Sequence, residues 1–156
     1  YIGVGESEKG AKLMVEWMEA KRTHVQSLDD PQKVLFANAM ERASETLIQA
    51  GQYSQAEALL RECLAIRTQT QPGHWSEGRV KSLLGHVLLQ QQKVTPGEEL
   101  LREGYKQLRE REHSEFDPAP RGQIVKALKR LVEHYQQTQQ IAQEQEWREK
   151  LSEFDP

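Results

Sequence analysis

Apolar residues along the chain recur three and four positions apart, which is the spacing of one face of an α-helix. The pattern is clear at Leu59, Leu60, Cys63 and Leu64, and it returns at residues 83–88 and 128–135. No segment alternates apolar and polar residues among β-branched neighbours, as a strand would. We therefore predict an all-α chain of about seven helices, near residues 6–24, 31–50, 53–70, 77–91, 95–113, 118–138 and 141–153.

Residues that favour helix N-termini mark four of these starts. Asp30-Pro31 and Asp117-Pro118 each combine an N-cap aspartate with a first-turn proline. The segments SQAE at 54–57 and TPGE at 95–98 have the spacing of capping boxes, in which a hydroxyl binds a backbone N–H and a glutamate reaches back. The two boxes are 95 − 54 = 41 residues apart, which predicts an internal repeat.

The repeat extends beyond the boxes. The sequence LLRE occurs at 59–62 and again at 100–103, with the same offset of 41, and residues 5–22 align with residues from Gly51 onward at an offset of 46. WREKL at 147–151 matches LRECL at 60–64 less closely. We predict one array over residues 1–156: a leading second helix at 6–24, repeats at 31–70 and 77–113, and a terminal repeat at 118–153.

Small residues occupy matching positions in successive repeats, at seven before, five after and twelve after Gly51 and its equivalent 41 residues later. A glycine inside a helix costs about 1 kcal/mol relative to alanine, so three at matching positions indicate that two helices pack closely there. Bulky residues fill the positions between them. The terminal repeat departs from the pattern, as end repeats often do. The six small residues are Ser44, Ala56 and Cys63, then Gly85, Gly97 and Gly104.

This spacing of small and large residues resembles that of the tetratricopeptide repeat, a helix–turn–helix unit of about 34 residues. The longer periods here, and ALLRECLAIR at 58–67, are similar to the kinesin-light-chain type. Residues 81–93, 99–112 and 131–151 resemble the C-terminal repeat arrays of large bacterial serine/threonine protein kinases. The chain has no glycine-rich phosphate loop, HRD or DFG, so a kinase domain in the parent chain would lie elsewhere.

The resemblance implies a right-handed superhelical α-solenoid of antiparallel helix pairs, whose concave face binds a protein or an extended peptide. Charge along that face runs from acidic in the first pair to basic in the last, which predicts that an acidic end of the peptide lies near Lys126 and Lys129. The other interpretation is that these polar residues are merely solvated. The twelve predicted groove residues are Asn38, Glu41, Glu45 and Gln49, then Arg79, Ser82, His86 and Gln90, then Lys126, Lys129, Glu133 and Gln137.

The sequence offers little for catalysis. None of the five histidines lies four residues from another, so no helical metal-binding pair is formed. No phosphate-binding glycine motif and no GxSxG nucleophile motif occurs. Cys63 lies on the apolar face, where we expect it to be a buried small residue. We expect no catalytic residue, metal or cofactor in this segment.

Composition narrows the class of partner. The 156 residues are 37% hydrophobic and 29% charged, which suits a soluble domain. A net charge of −3 gives no general attraction to nucleic acid or to an anionic membrane. No apolar run approaches the roughly 18–20 residues that cross a bilayer. With a single cysteine and no signal peptide, we expect a cytoplasmic protein that binds other proteins or peptides.

Two further features leave alternatives open. Self-association into a homo-oligomer is the second hypothesis, if Trp17, Trp75 or Trp147 is exposed as an apolar patch. The pentapeptide SEFDP occurs at 114–118 and 152–156, each time after a second helix. We expect its phenylalanine to fold back on the helix end while Asp-Pro starts the next element.

Overall fold

The computed structural model of the chain describes residues 2–116 and 118–154, with the backbone alone for residues 2–8, 11 and 14. The described part is all-helical and contains no strand, so the predicted fold class is confirmed at that level. A short 3-10 helix at Val25–Ser27 separates the first two of seven α-helices. These are α1 (Ile2–Arg22), α2 (Asp30–Gln49), α3 (Tyr53–Thr70), α4 (Trp75–Gln90), α5 (Val94–Glu110), α6 (Arg121–Gln137) and α7 (Ile141–Ser152).

The chain divides into two compact units, Tyr1–Pro72 and Gly73–Pro156. In the first unit, α2 packs against both α1 and α3. In the second unit, α4 packs against α5, and α6 packs against α7 and also contacts α4 and α5. These neighbours are consistent with a helical repeat, in which each helix pair stacks on the next.

The same short turn follows α2, α4 and α6. Its middle residue has a left-handed backbone, with φ of 71° at Gly51, 63° at Gln92 and 55° at Gln139. The N–H of the next residue donates to the carbonyl oxygen five residues back, at 2.9 Å in all three turns. This is the Schellman arrangement that ends a helix. The first two turns are 92 − 51 = 41 residues apart, which matches the predicted period, and the third follows after 139 − 92 = 47.

The predicted capping boxes at Ser54 and Thr95 are wrong. Both residues lie inside helices, because α3 and α5 each begin one residue earlier. The preceding residues, Gln52 and Lys93, make no side-chain cap bond. The turn explains the difference, because its left-handed residue leads the chain directly into the next helix and leaves no extended residue at the predicted cap position.

The N-cap of α2 is Asp29, one residue before the predicted Asp30. The Asp29 carboxylate accepts from the backbone N–H of Gln32 at 2.9 Å, and the Gln32 side chain accepts from the N–H of Asp29 at 3.2 Å. This reciprocal pair is a capping box. Pro31 lies in the first turn, as predicted.

Helix α6 begins three residues after the predicted 118, and the predicted N-cap Asp117 lies outside the described residues. Proline disfavours the helical conformation in the residue before it, so Pro120 holds Ala119 out of the helix. The N–H of Ala119 instead donates to the carbonyl oxygen of Arg111 at 2.9 Å. The helix can therefore begin only after Pro120.

Helices α4 and α5 approach each other backbone to backbone at four glycines, which we call the glycine seam. A Cβ atom built on Gly85 would lie 2.7 Å from the carbonyl oxygen of Gly97, and one on Gly104 would lie 2.6 Å from that of Gly78. Ordinary Cβ contacts begin at 3.4 Å, so any larger residue would force the helices apart. The close approach predicted at Gly85, Gly97 and Gly104 is confirmed. Gly78, which the repeat spacing does not predict, extends the seam.

The predicted small positions of the first unit are also buried. Ser44, Ala56 and Cys63 have no exposed surface, and the Cys63 thiol lies 3.5 Å from the carbonyl oxygen of Ala37. The interpretation of Cys63 as a buried small residue is therefore confirmed. The bulky positions between the small ones form the core of both units. They are Leu47, Leu60, Leu88, Leu101, Tyr135 and Trp147, all of them buried.

Candidate functional site

A cleft of about 260 Å³ lies between α4 and α6 in the second unit. Four of the twelve predicted groove residues line it: His86 and Gln90 from α4, and Glu133 and Gln137 from α6. The structure therefore brings together residues that are about 47 positions apart in the sequence. We call this space the α4–α6 cleft. The rest of its lining consists of Leu89, Gln92, Val94, Arg130, His134 and Thr138.

One hydrogen bond fixes how α4 and α6 lie against each other. The guanidinium of Arg130 donates from Nη1 to the hydroxyl of Ser82 at 3.0 Å. One turn further along each helix, His86 faces the cleft from α4 and Glu133 from α6. Successive turns of the two helices are thus presented in the same order, and their polar residues meet along one side.

The cleft is polar and carries both signs of charge. The half-buried imidazole of His86 has its pKa lowered, first by burial and then by the positive charge of Arg130, while Glu133 acts in the opposite direction. His86 is therefore neutral at neutral pH, with one donor and one acceptor nitrogen. Gln90 and Gln137 add amide groups that both donate and accept. Such a lining suits hydrogen bonding to a peptide backbone.

A hydrogen-bond network behind the cleft joins α6 to α5. Buried His134 lies with its Nε2 2.7 Å from the carboxylate of Glu98. The guanidinium of Arg102 donates to the hydroxyl of Tyr135 at 2.6 Å, and burial raises the pKa of that hydroxyl. The capping-box interpretation assigned Glu98 to the backbone of its own helix. Its partner is instead on α6, which a local sequence pattern does not reveal.

The other predicted groove residues of the second unit lie outside the cleft lining. The guanidinium of Arg79 lies over the ring of Trp75, 5.5 Å from its centroid. Ser82 has no exposed surface and serves as the acceptor for Arg130. Lys126 and Lys129 are accessible on α6, in the turn that precedes Arg130. The two lysines can therefore meet a partner that extends beyond the cleft.

In the first unit, a buried arginine takes up two of the four predicted groove residues. The Arg67 guanidinium donates to the Glu41 carboxylate at 2.7 Å, and both side chains are almost fully buried. It also donates to the Asn38 side chain and, at 2.7 Å, to that of Gln71. The charge of Glu41 is compensated by this contact. Of the first-pair groove residues, Glu45 and Gln49 are exposed.

Arg67 could have been found in the sequence by extending the helical period of α3. Leu60 and Cys63 lie on the buried face, and Arg67 follows one turn later on the same face. An arginine in that position must reach either solvent or a buried acid. The structure shows the second outcome, with the acid supplied by α2.

The described residues hold no cluster of three or more histidine, cysteine, aspartate or glutamate side chains that could bind a metal ion. Among the helices of the described part, none combines the length and the apolar character that a membrane span requires. What the α4–α6 cleft offers is hydrogen bonding and charge, from side chains held on two helices.

Comparison with known protein families finds no family that matches this sequence. A search of curated proteins likewise finds no significant match.

Proposed function

We propose that this chain is a non-catalytic interaction module of the tetratricopeptide type, and that the α4–α6 cleft is part of a groove that binds an extended peptide or a partner domain. One observation carries the proposal. Four side chains that the repeat register assigns to a groove, two from each of two helices, line one cleft. A merely solvated face would not require residues from separate repeats to converge.

The proposed architecture is a right-handed superhelix of antiparallel helix pairs. The glycine seam supports the antiparallel pairing of α4 and α5, because Gly78 lies opposite Gly104 and Gly85 lies opposite Gly97. Residue numbers that rise on one helix while they fall on the other are the order expected of such a pair. The three Schellman turns support a repeating unit, because each ends a first helix in the same way.

The preferred partner is a peptide with an acidic segment. Lys126 and Lys129 are accessible beside the cleft, and Arg130 lines it. Charges of this kind increase the association rate and fix the orientation of a bound peptide more than they increase affinity. The amides of Gln90 and Gln137 are placed to hydrogen-bond the peptide backbone.

Peptide display on the immobilised chain tests the proposal. We expect selection to enrich acidic peptides, whose affinity falls at least tenfold in the double variant Lys126→Glu/Lys129→Glu. The matched control is Lys12→Glu/Lys106→Glu, because both lysines are highly exposed and the change in net charge is the same. Enrichment of no peptide, or an equal loss in both double variants, would remove the cleft from the function.

Self-association is a second candidate function, favoured by an apolar surface on α1. Leu13 is 67% exposed and Trp17 is 47% exposed, although Trp17 also contacts the ring of Phe36. Of the other two tryptophans, Trp147 is buried and Trp75 is half-buried. Light scattering across a concentration series separates the two functions, since only self-association predicts a mass that grows with concentration. The variant Trp17→Glu should then abolish that growth.

We further propose that the parent chain is a bacterial serine/threonine protein kinase, in which this array is a regulatory or scaffolding segment. The proposal rests on the resemblance of residues 81–93, 99–112 and 131–151 to such arrays. The complete sequence of the parent chain tests it, since kinase signatures must then occur outside these 156 residues.

A further inference from the structure

Two arginines hold the second copy of the SEFDP sequence. The ring of Phe154 contacts the guanidinium groups of Arg109 and Arg121, which lie 5.1 and 5.2 Å from its centroid. Arg121 donates to the carbonyl oxygen of Phe154 at 2.9 Å, and Arg109 lies 3.6 Å from the carboxylate of Glu153. We call Arg109 and Arg121 the arginine clamp. It contacts three groups of the Glu-Phe dipeptide: the carboxylate, the aromatic ring and the carbonyl.

The first copy of the same sequence is presented to solvent. Phe116 is 95% exposed, and Glu115 before it is exposed as well. The prediction that this phenylalanine folds back on a helix end is therefore wrong for Phe116. A phenyl group left in water gives up the free energy that its burial would provide. Phe116 is thus available to a partner.

The repeat register explains why the two copies differ. The position equivalent to Arg109 one repeat earlier is 109 − 41 = 68, and that equivalent to Arg121 is 121 − 47 = 74. These positions hold Thr68 and His74, so neither carries a guanidinium group. The first copy of the sequence therefore has no equivalent arginine clamp of its own.

We propose that the exposed Ser114–Phe116 segment of one molecule binds the arginine clamp of a second copy of this chain, in place of that copy's own residues 152–154. The two segments have the same sequence and present the same carboxylate, ring and carbonyl to the clamp. Arg109 and Arg121 flank the loop that carries Phe116 in the sequence. A two-fold related pair can therefore exchange these loops reciprocally, with each Phe116 in the partner's clamp.

The tethered copy competes with this exchange. A segment attached to the same chain acts at an effective concentration in the millimolar range, so the chain's own Phe154 holds the clamp at lower protein concentrations. Removing the ring of Phe154 should empty the clamp and make self-association measurable. We therefore expect Phe154→Ala to form dimers at concentrations where the unaltered chain is monomeric.

Sedimentation velocity on the full 156-residue chain tests the exchange. Phe154→Ala should show a dimer that grows with concentration, and the double variant Phe116→Ala/Phe154→Ala should remain monomeric. The single variant Phe116→Ala should behave as the unaltered chain. Dimers of equal strength in the double variant would overturn the proposal, because they cannot use Phe116. A monomeric Phe154→Ala at millimolar concentration would overturn it as well.

A peptide experiment tests the clamp without relying on dimers. The probe is the acetylated peptide HSEFDPAP, which is residues 113–120, added to the double variant with its empty clamp. We expect NMR shifts at Arg109 and Arg121, and a binding several-fold weaker when leucine replaces the peptide's phenylalanine, since both guanidinium–ring contacts are then lost. No shift at either arginine would contradict the proposal. If circular dichroism shows that Phe154→Ala is unfolded, Phe154→Leu keeps the apolar volume and still removes the ring.

Discussion

The substitution Gly104→Ala tests the glycine seam most directly. The new methyl group would lie 2.6 Å from the carbonyl oxygen of Gly78 and 2.7 Å from the backbone nitrogen of Ser82. Both atoms belong to the backbone of α4, so neither can rotate away. Relief requires the helices to separate by about 3.4 − 2.6 = 0.8 Å, measured from the onset of ordinary contact.

The magnitude follows from two opposing terms. Overpacking of a core costs about 1–3 kcal/mol, and the upper value applies here because rigid backbone lies on both sides. Alanine recovers about 1 kcal/mol relative to glycine inside a helix. We therefore expect a net loss of about 2 kcal/mol, which lowers the melting temperature of a chain of this length by about 4–8 °C.

Thermal unfolding followed by circular dichroism measures the effect, with Gly122→Ala as the matched control. A Cβ atom built on Gly122 meets no atom within 4 Å, so the same chemical change should leave stability unchanged or raise it by up to about 1 kcal/mol. A melting temperature of Gly104→Ala at or above that of the unaltered chain would refute the backbone clash. Equal melting temperatures for the two variants would likewise show that backbone contact does not set the distance between the helices.

Three further predictions concern the turns, the buried ion pair and the cleft. Gln92→Gly and Gln139→Gly should each stabilise the chain by about 0.5–1 kcal/mol in urea denaturation, because both side chains occupy left-handed backbone; a loss of stability would argue against the turn. Arg67→Met should cost about 3 kcal/mol, and adding Glu41→Met should recover most of it; zero coupling in the double-mutant cycle would contradict the buried pair. The lowered pKa of His86 means that the unfolded chain binds its proton more readily, so stability falls as pH drops through the unfolded pKa of about 6.5. His86→Gln should reduce this fall, and an equal pH slope in both proteins would refute the assignment.

The features that the sequence predicted are those with local signals. Glycines inside helices are costly, so the matching positions of Gly85, Gly97 and Gly104 are by themselves enough to indicate a close helix contact. The period of the apolar residues identified all seven helices of the described part, with boundaries within four residues. Both signals depend only on neighbours within a turn or two.

The features that were missed depend on partners distant in sequence. A glycine at position 51 is consistent with a left-handed turn, whereas glutamines such as Gln92 and Gln139 rarely adopt that conformation and do not signal it. The burial of Glu41 depends on an arginine from another helix. The cleft residues were assigned by family resemblance, and the meeting of His86 with Glu133 follows from the packing of α4 on α6.

The glycine seam also affects the entropy of binding. Where two helices touch through their backbones, few flexible side chains separate them, so α4 is a stiff support for the residues on its opposite face. His86 and Gln90 are carried on that support, and their ordering cost is met when the chain folds. A ligand that entered from solution would lose its own freedom but would have little left to immobilise in the receptor.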